Sequence, residues 1–191
     1  MLNIRILNNF PLELLNAYKD FYQNFDKTTI NVMISQVHYA VALPKDLLAY
    51  TNAFLPVPLD RLDMYAVLPD AVMIPHIDRG RKTALQIPLD VDTNNSYTFA
   101  AKYEDLSMLT PKQHQYDIEQ DAKKIVNTST NPFYEWNDNL FDKYDLSKPI
   151  LQNVSAPHGG VNNAKTLRIF MSGNYLNHEY KYVVDAYKDF Y

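Results

Sequence analysis

Between residues 64 and 103 the chain breaks into four short, apolar-leaning segments: Met64–Leu68, Ala71–Ile77, Ala84–Val91 and Ser96–Tyr103. Polar turns separate them at Pro69-Asp70, Arg79 to Lys82 and Asp92 to Asn95. Strands of this length at this spacing predict a β-sandwich or barrel. Two more strands follow late in the chain, Pro149–Val154 and Thr166–Ser172. The second is the more strongly apolar and carries a single charge, Arg168. Hydrophobic residues make up 47% of the 191 positions, enough for a substantial core in one domain.

The flanks read differently. Leu2 to Leu7 predicts a short strand. Pro11 to Phe25 predicts an amphipathic helix, because Leu14, Leu15, Tyr18, Phe21, Tyr22 and Phe25 recur at helical spacing. Thr28 to Ser35 and Val37 to Leu43 are strand-like, and Pro44 opens a short helical stretch to Tyr50. Pro111 to Val126 has helical character. Asn127 to Lys148 is polar with interspersed aromatics and reads as a long loop or insertion. His158 to Lys165, with Gly159-Gly160 and Asn162-Asn163, reads as a turn, and Asn177 to Tyr191 as a closing helix. The hexapeptide Ala17–Tyr22 recurs as Ala186–Tyr191, which is too short to imply a structural repeat. The expected organisation is one domain over residues 1–191, mainly β with flanking helices. Its core strands lie at about 64–176, its helical additions at both ends and an insertion at about 111–148.

Several function classes lack support. Without cysteine there are no disulfides, thiolate metal sites, iron–sulfur clusters or Cys nucleophiles. A net charge of -4 and five scattered Arg argue against a duplex nucleic-acid footprint. Neither a signal peptide nor a membrane span is legible, so the sequence predicts a soluble cytoplasmic protein. No phosphate-binding Gly-rich loop, Gly-x-Ser-x-Gly or His-Glu-x-x-His occurs.

What remains is a constellation. In a strand, residues two apart face the same side, so His76 and Asp78 can aim at one point. With five His in the chain, His-x-Asp taken alone is weak, and a loop His beside a turn Asp would explain it. Its weight comes from a distant reply. His158 sits in Ala156-Pro157-His158-Gly159-Gly160, and ten residues later Arg168 interrupts the apolar run Leu167-Arg168-Ile169-Phe170. Two His and one carboxylate can form the facial triad of non-haem Fe(II) sites, which leaves coordination positions open. Strand alternation places Arg168 inward with Phe170 and Ser172, and a buried guanidinium needs a partner. A dicarboxylate would supply one as a bidentate pair.

With these residues in view, the stretch from about 64 to 176 resembles the 2-oxoglutarate and Fe(II)-dependent dioxygenases, in particular the prolyl and aspartyl hydroxylase-like branches. The matching text is Pro75-His76-Ile77-Asp78, Ala84 to Leu89, Ala156 to Asn162 and Leu167 to Ser172. The resemblance implies a double-stranded β-helix, the jelly roll also found in cupin-like proteins. It implies Fe(II) on His76, Asp78 and His158. It implies 2-oxoglutarate as co-substrate, with its far carboxylate on Arg168, and O₂ and a prime substrate as the other reactants. Some branches carry Arg-x-Ser, whereas here Phe170 stands at that position and the serine is Ser172. Gln86, Ser172 and Tyr65 are candidates to complete the co-substrate pocket, although each also reads as an ordinary strand residue. Arg79, Arg81 and Trp136 are candidates for the prime substrate; a solvated turn and packing of the insertion explain them equally well. The function expected is hydroxylation of an amino-acid residue, a peptide or a small molecule. The alternatives are a non-enzymatic jelly-roll module that binds a ligand or a protein, and a sandwich enzyme that uses another metal without 2-oxoglutarate.

Overall fold

A computed structural model describes residues 2–26, 33–35, 38–78, 80–102, 109–112 and 133–191. The protein is mainly β, a jelly roll of two antiparallel sheets with three helices among the described residues. In chain order the elements are β1 (Ile4–Ile6), α1 (Leu12–Asn24), β2 (Met33–Ser35), β3 (His38–Ala42), α2 (Lys45–Asn52), β4 (Arg61–Val67), β5 (Ala71–His76), β6 (Thr83–Asp90) and β7 (Ser96–Ala101). There follow β8 (Pro111–Lys112), β9 (Phe133–Tyr134), β10 (Phe141–Tyr144), β11 (Ile150–Asn153), β12 (His158–Asn162), β13 (Arg168–Tyr175) and α3 (Tyr180–Ala186). A 3-10 turn, Lys188–Phe190, follows α3. No helix is long and apolar enough to cross a membrane among the described residues.

The seven-stranded sheet runs β1-β11-β6-β13-β4-β3-β2, and the six-stranded sheet runs β10-β7-β12-β5-β9-β8. Alternation divides each strand between two environments. On β4, β6 and β13 one set of side chains (Leu62, Met64, Ala66, Leu85, Ile87, Ile169, Met171) packs with Leu14 and Tyr18 of α1 and Val183 and Val184 of α3. The helices therefore cover the back of the larger sheet. The opposite set includes Val67 and Phe170, which join Ile150 of β11 and Ala100 of β7 in the space between the sheets. A third cluster, built on Phe99, Phe141 and Val161, covers the far side of the smaller sheet.

The expected strands at 64–103 and the two late ones are present, with ends shifted by a few residues. Two expectations change. The segment from His158 is not a turn: residues 158–162 form the central strand β12, paired with both β5 and β7. Its Gly-Gly pair is there because both faces are crowded. A Cβ on Gly159 would meet the Met73 carbonyl and the Phe99 ring, and one on Gly160 would come within 2.8 Å of the Arg168 guanidinium. Between 127 and 148 the chain is not only loop, since β9 and β10 extend the smaller sheet. Of the expected helix Pro111–Val126, residues 111–112 are strand and the remainder lies outside the described residues, as does Arg79.

Candidate functional site

The paired register of β5 and β12 sets His76 directly opposite His158. The two rings lie 4.5 Å apart between centroids. Asp78 follows β5 by two residues, and its backbone N–H donates to the Val154 carbonyl at 3.0 Å, which ties it to the segment that leads into His158. Its carboxylate then lies between the imidazoles. Oδ1 is 3.6 Å from His76 Nε2, and Oδ2 is 3.5 Å from His158 Nε2. One ligand atom from each of the three residues falls within 4.8 Å of the others.

The hydrogen bonds fix what these groups offer. His76 Nδ1 donates to the Ile74 carbonyl at 2.8 Å, and His158 Nδ1 donates to the Ala156 carbonyl at 2.9 Å. A carbonyl can only accept, so each ring commits its Nδ1 proton to the backbone and turns Nε2 toward the site. Burial, reinforced by His158, lowers His76 to about 4, so this ring is neutral at pH 7. Burial alone would raise the Asp78 carboxyl. The facing His158 and the Arg81 guanidinium reverse that and hold it well below the ordinary carboxylate range. Both Nε2 atoms thus face the carboxylate, a donor set complementary to a divalent cation. The backbone carbonyls play the outer-shell part that orients metal-binding imidazoles.

Arg168 opens β13 and is 2% exposed. Its side chain crosses between the sheets. Nη1 donates to the Tyr97 carbonyl at 2.8 Å and to the Val161 carbonyl at 3.4 Å, and the guanidinium lies 5.2 Å over the Phe170 ring. Nε has no hydrogen-bond partner among the described residues. Burial alone lowers the group to about 10, which leaves it charged at neutral pH, and no carboxylate among the described residues pairs with it. It reaches the inner side of Gly160, two residues along β12 from His158. The guanidinium and the His-Asp-His group therefore line one inter-sheet space.

The other candidates divide. Gln86 is buried on β6 and pairs with Ser172 of β13. Its Nε2 donates to Gln152 Oε1, and Gln152 in turn donates to the Phe99 carbonyl at 3.2 Å. That order of donors leaves Gln86 Oε1, which has no partner among the described residues, as an acceptor within the inter-sheet space. Tyr65 stacks on Phe170 at 5.6 Å and lies within electrostatic range of Arg81 and Asp78. Trp136 is elsewhere. It packs on Phe99 and Phe141, on the far side of the smaller sheet, with Lys143 over its ring at 5.3 Å. Arg81 turns onto Asp78 and Asn174. Asn174 and Asp63, both buried behind Arg81, were not legible as site residues. The signal was their polarity at inward positions of otherwise apolar strands, the same signal that marks Arg168.

No family model matches the chain, and no curated protein matches it in sequence. Solved structures do. A prolyl-4-hydroxylase from Pseudomonas putida is 11% identical over 93% of this chain and 94% of its own, with a TM-score of 0.54. The epimerase SnoN, in a complex with Fe3+, alpha-ketoglutarate and nogalamycin RO, is 10% identical over 92% of this chain and 79% of its own, with a TM-score of 0.55. At such identities the likeness is one of fold.

Proposed function

We propose that this chain is a 2-oxoglutarate- and O₂-dependent non-haem Fe(II) dioxygenase that hydroxylates an amino-acid residue, a peptide or a small molecule. The observation that carries the proposal is Arg168, a charged, buried guanidinium with no anionic partner among the described residues, which shares its space with the His-Asp-His group. A site for a metal alone has no need of it. A co-substrate that chelates the metal at one end and carries a carboxylate at the other needs both.

In this reading His76 and His158 offer Nε2, and Asp78 offers its carboxylate to Fe(II). When bound, the iron and its co-substrate supply the oxidation: one oxygen atom of O₂ enters a C–H bond of the prime substrate as hydroxyl, and the other enters succinate as 2-oxoglutarate loses CO₂. The chain's own work is to bind and orient. Arg168 takes the far carboxylate on the guanidinium edge not given to Tyr97, with Phe170 as its shelf. Tyr65, Gln86 and Ser172 frame the same space. Apolar Val67, Ala100 and Ile150 keep water from it. Two solved structures with TM-scores above 0.5 support this reading by their names, one a prolyl-4-hydroxylase and the other an epimerase in complex with Fe3+ and alpha-ketoglutarate. The reaction is contained in one domain, residues 1–191.

The test is succinate release from 2-oxoglutarate with added Fe(II), in wild type, His76→Ala and Arg168→Ala, alongside binding of Mn(II) and 2-oxoglutarate. Wild type should release succinate, and both variants should lose it. His76→Ala should lose the metal, whereas Arg168→Ala should keep the metal and lose 2-oxoglutarate. Metal binding with no 2-oxoglutarate binding in wild type would point to a different metal-dependent reaction. Binding of neither would leave a jelly-roll binding module.

A further inference from the structure

The geometry points to Arg81 as a positioning residue that holds the Asp78 carboxylate to ligation through one oxygen; this rests on the reading that His76, Asp78 and His158 bind a divalent cation. Asp78 is not on a strand. It sits in the irregular segment between β5 and β6, where nothing in the ladder fixes its side chain. Arg81 supplies what the ladder does not. Its Nε donates to Asp78 Oδ2 at 2.5 Å, and its Nη1 donates to Asn174 Oδ1 at 2.5 Å.

The Arg81 fork is itself anchored in the opposite sheet. Asn174 is 3% exposed, and its Nδ2 donates to Asp63 Oδ2 at 3.2 Å. Asp63 is 1% exposed and is closed on its other side by Arg61 Nε at 2.7–2.8 Å. The amide can lie only one way round, because a guanidinium has no acceptor to offer its Nδ2 and a carboxylate has no donor to offer its Oδ1. Arg61, Asp63, Asn174, Arg81 and Asp78 thus form one continuous chain of hydrogen bonds, in which Asp63 accepts from both its neighbours and Arg81 donates to both of its own. It runs from the surface of the larger sheet to the carboxylate beside the smaller one.

A carboxylate may give a cation one oxygen or two. With Oδ2 engaged by a charge-assisted bond, Asp78 has Oδ1 to give, so the protein supplies three donors rather than four and the remaining positions stay open. Electrostatics makes the inference falsifiable by sign. A guanidinium beside a ligand carboxylate repels an incoming cation. If Arg81 acted only as a charge, removing it would tighten metal binding. If it positions Asp78, removing it weakens binding, as loss of an outer-shell partner commonly does by about 10–100-fold.

Co(II) titration of the full chain, followed by its visible absorption, reads both affinity and coordination. Wild type is compared with Arg81→Met, Arg81→Lys, Asn174→Leu and His76→Ala, each checked for native circular dichroism. Arg81→Met should weaken Co(II) about 10–100-fold and change the band intensity as Asp78 rearranges. Asn174→Leu should shift both in the same direction, although Asn174 touches none of the three donors. Arg81→Lys, which keeps the charge without the fork, should not restore the wild-type spectrum. Unchanged or tighter binding with an unaltered band in Arg81→Met and Asn174→Leu would overturn the inference. Wild type that fails to bind Co(II), or His76→Ala that binds it equally well, would instead overturn the cation reading on which it rests.

Discussion

Arg168 places a charge where no carboxylate among the described residues neutralises it. Two backbone carbonyls and a ring face satisfy part of the guanidinium, and Nε has no partner among the described residues. Burying an unpaired charge is costly, and apolar replacement of buried charge often stabilises. Arg168→Met should therefore make the ligand-free protein more stable, by about 1–3 kcal/mol in urea unfolding, while it abolishes 2-oxoglutarate binding. Loss of stability would mean that the carbonyl bonds suffice for the guanidinium. His76 gives a pH-dependent counterpart. Burial and His158 bring its folded value to about 4, below the ordinary 6.5, so the unfolded chain binds more protons between these limits. In metal-free protein this contribution is fully present above pH 6.5 and is lost as pH falls toward 4. His76→Leu should flatten that part of the stability profile. These residues were legible in the sequence, because a lone Arg on an inward strand position and a His-x-Asp with a distant His contradict simple burial. Arg81 was legible only as a candidate for the prime substrate or as a solvated turn charge, since its direction depends on Asn174, which is 93 residues away.

At the level of elements, β12 departs furthest from its sequence. Gly-Gly and Asn-Asn within eight residues imply a turn by ordinary turn chemistry. The strand forms because its two neighbours supply ladder partners and because each glycine meets something that leaves no room for a methyl. The two glycines fail differently. Gly159→Ala drives a Cβ into the Met73 backbone carbonyl and the Phe99 ring, and should cost about 1–3 kcal/mol of stability. Gly160→Ala meets first the end of the Arg168 side chain at 2.8 Å, with the Tyr97 carbonyl at 3.4 Å. It should cost less stability than Gly159→Ala and weaken 2-oxoglutarate binding, as measured by calorimetry on the two variants side by side. Asn162 closes the strand. It accepts from Ser96 at 2.7 Å and donates to the Val67, Leu68 and Thr166 carbonyls, so the connection back to β13 is held by one amide.

Across the whole molecule, helices cover the larger sheet, the larger sheet covers the smaller, and the candidate site lies between the two sheets. Strand spacing predicted the sandwich and helical periodicity predicted α1. Strand order was not legible, because it depends on pairings such as β1 with β11, whose residues lie about 146 positions apart. Binding at the site should be felt by the whole fold. Mn(II) at about a hundredfold over its Kd should stabilise wild type by about 2.7 kcal/mol. For a chain of this size that is a rise in Tm of roughly 5–11 °C, and it should vanish in His76→Ala. The direct opposition of His76 and His158 also has a kinetic consequence. Their pairing closes a loop of 82 residues, a contact that pays its chain entropy before it gains a ligand. A cation held across it fastens two strands that must already have docked, so it acts on the native side of the folding barrier. It should slow unfolding while leaving the rate of folding almost untouched.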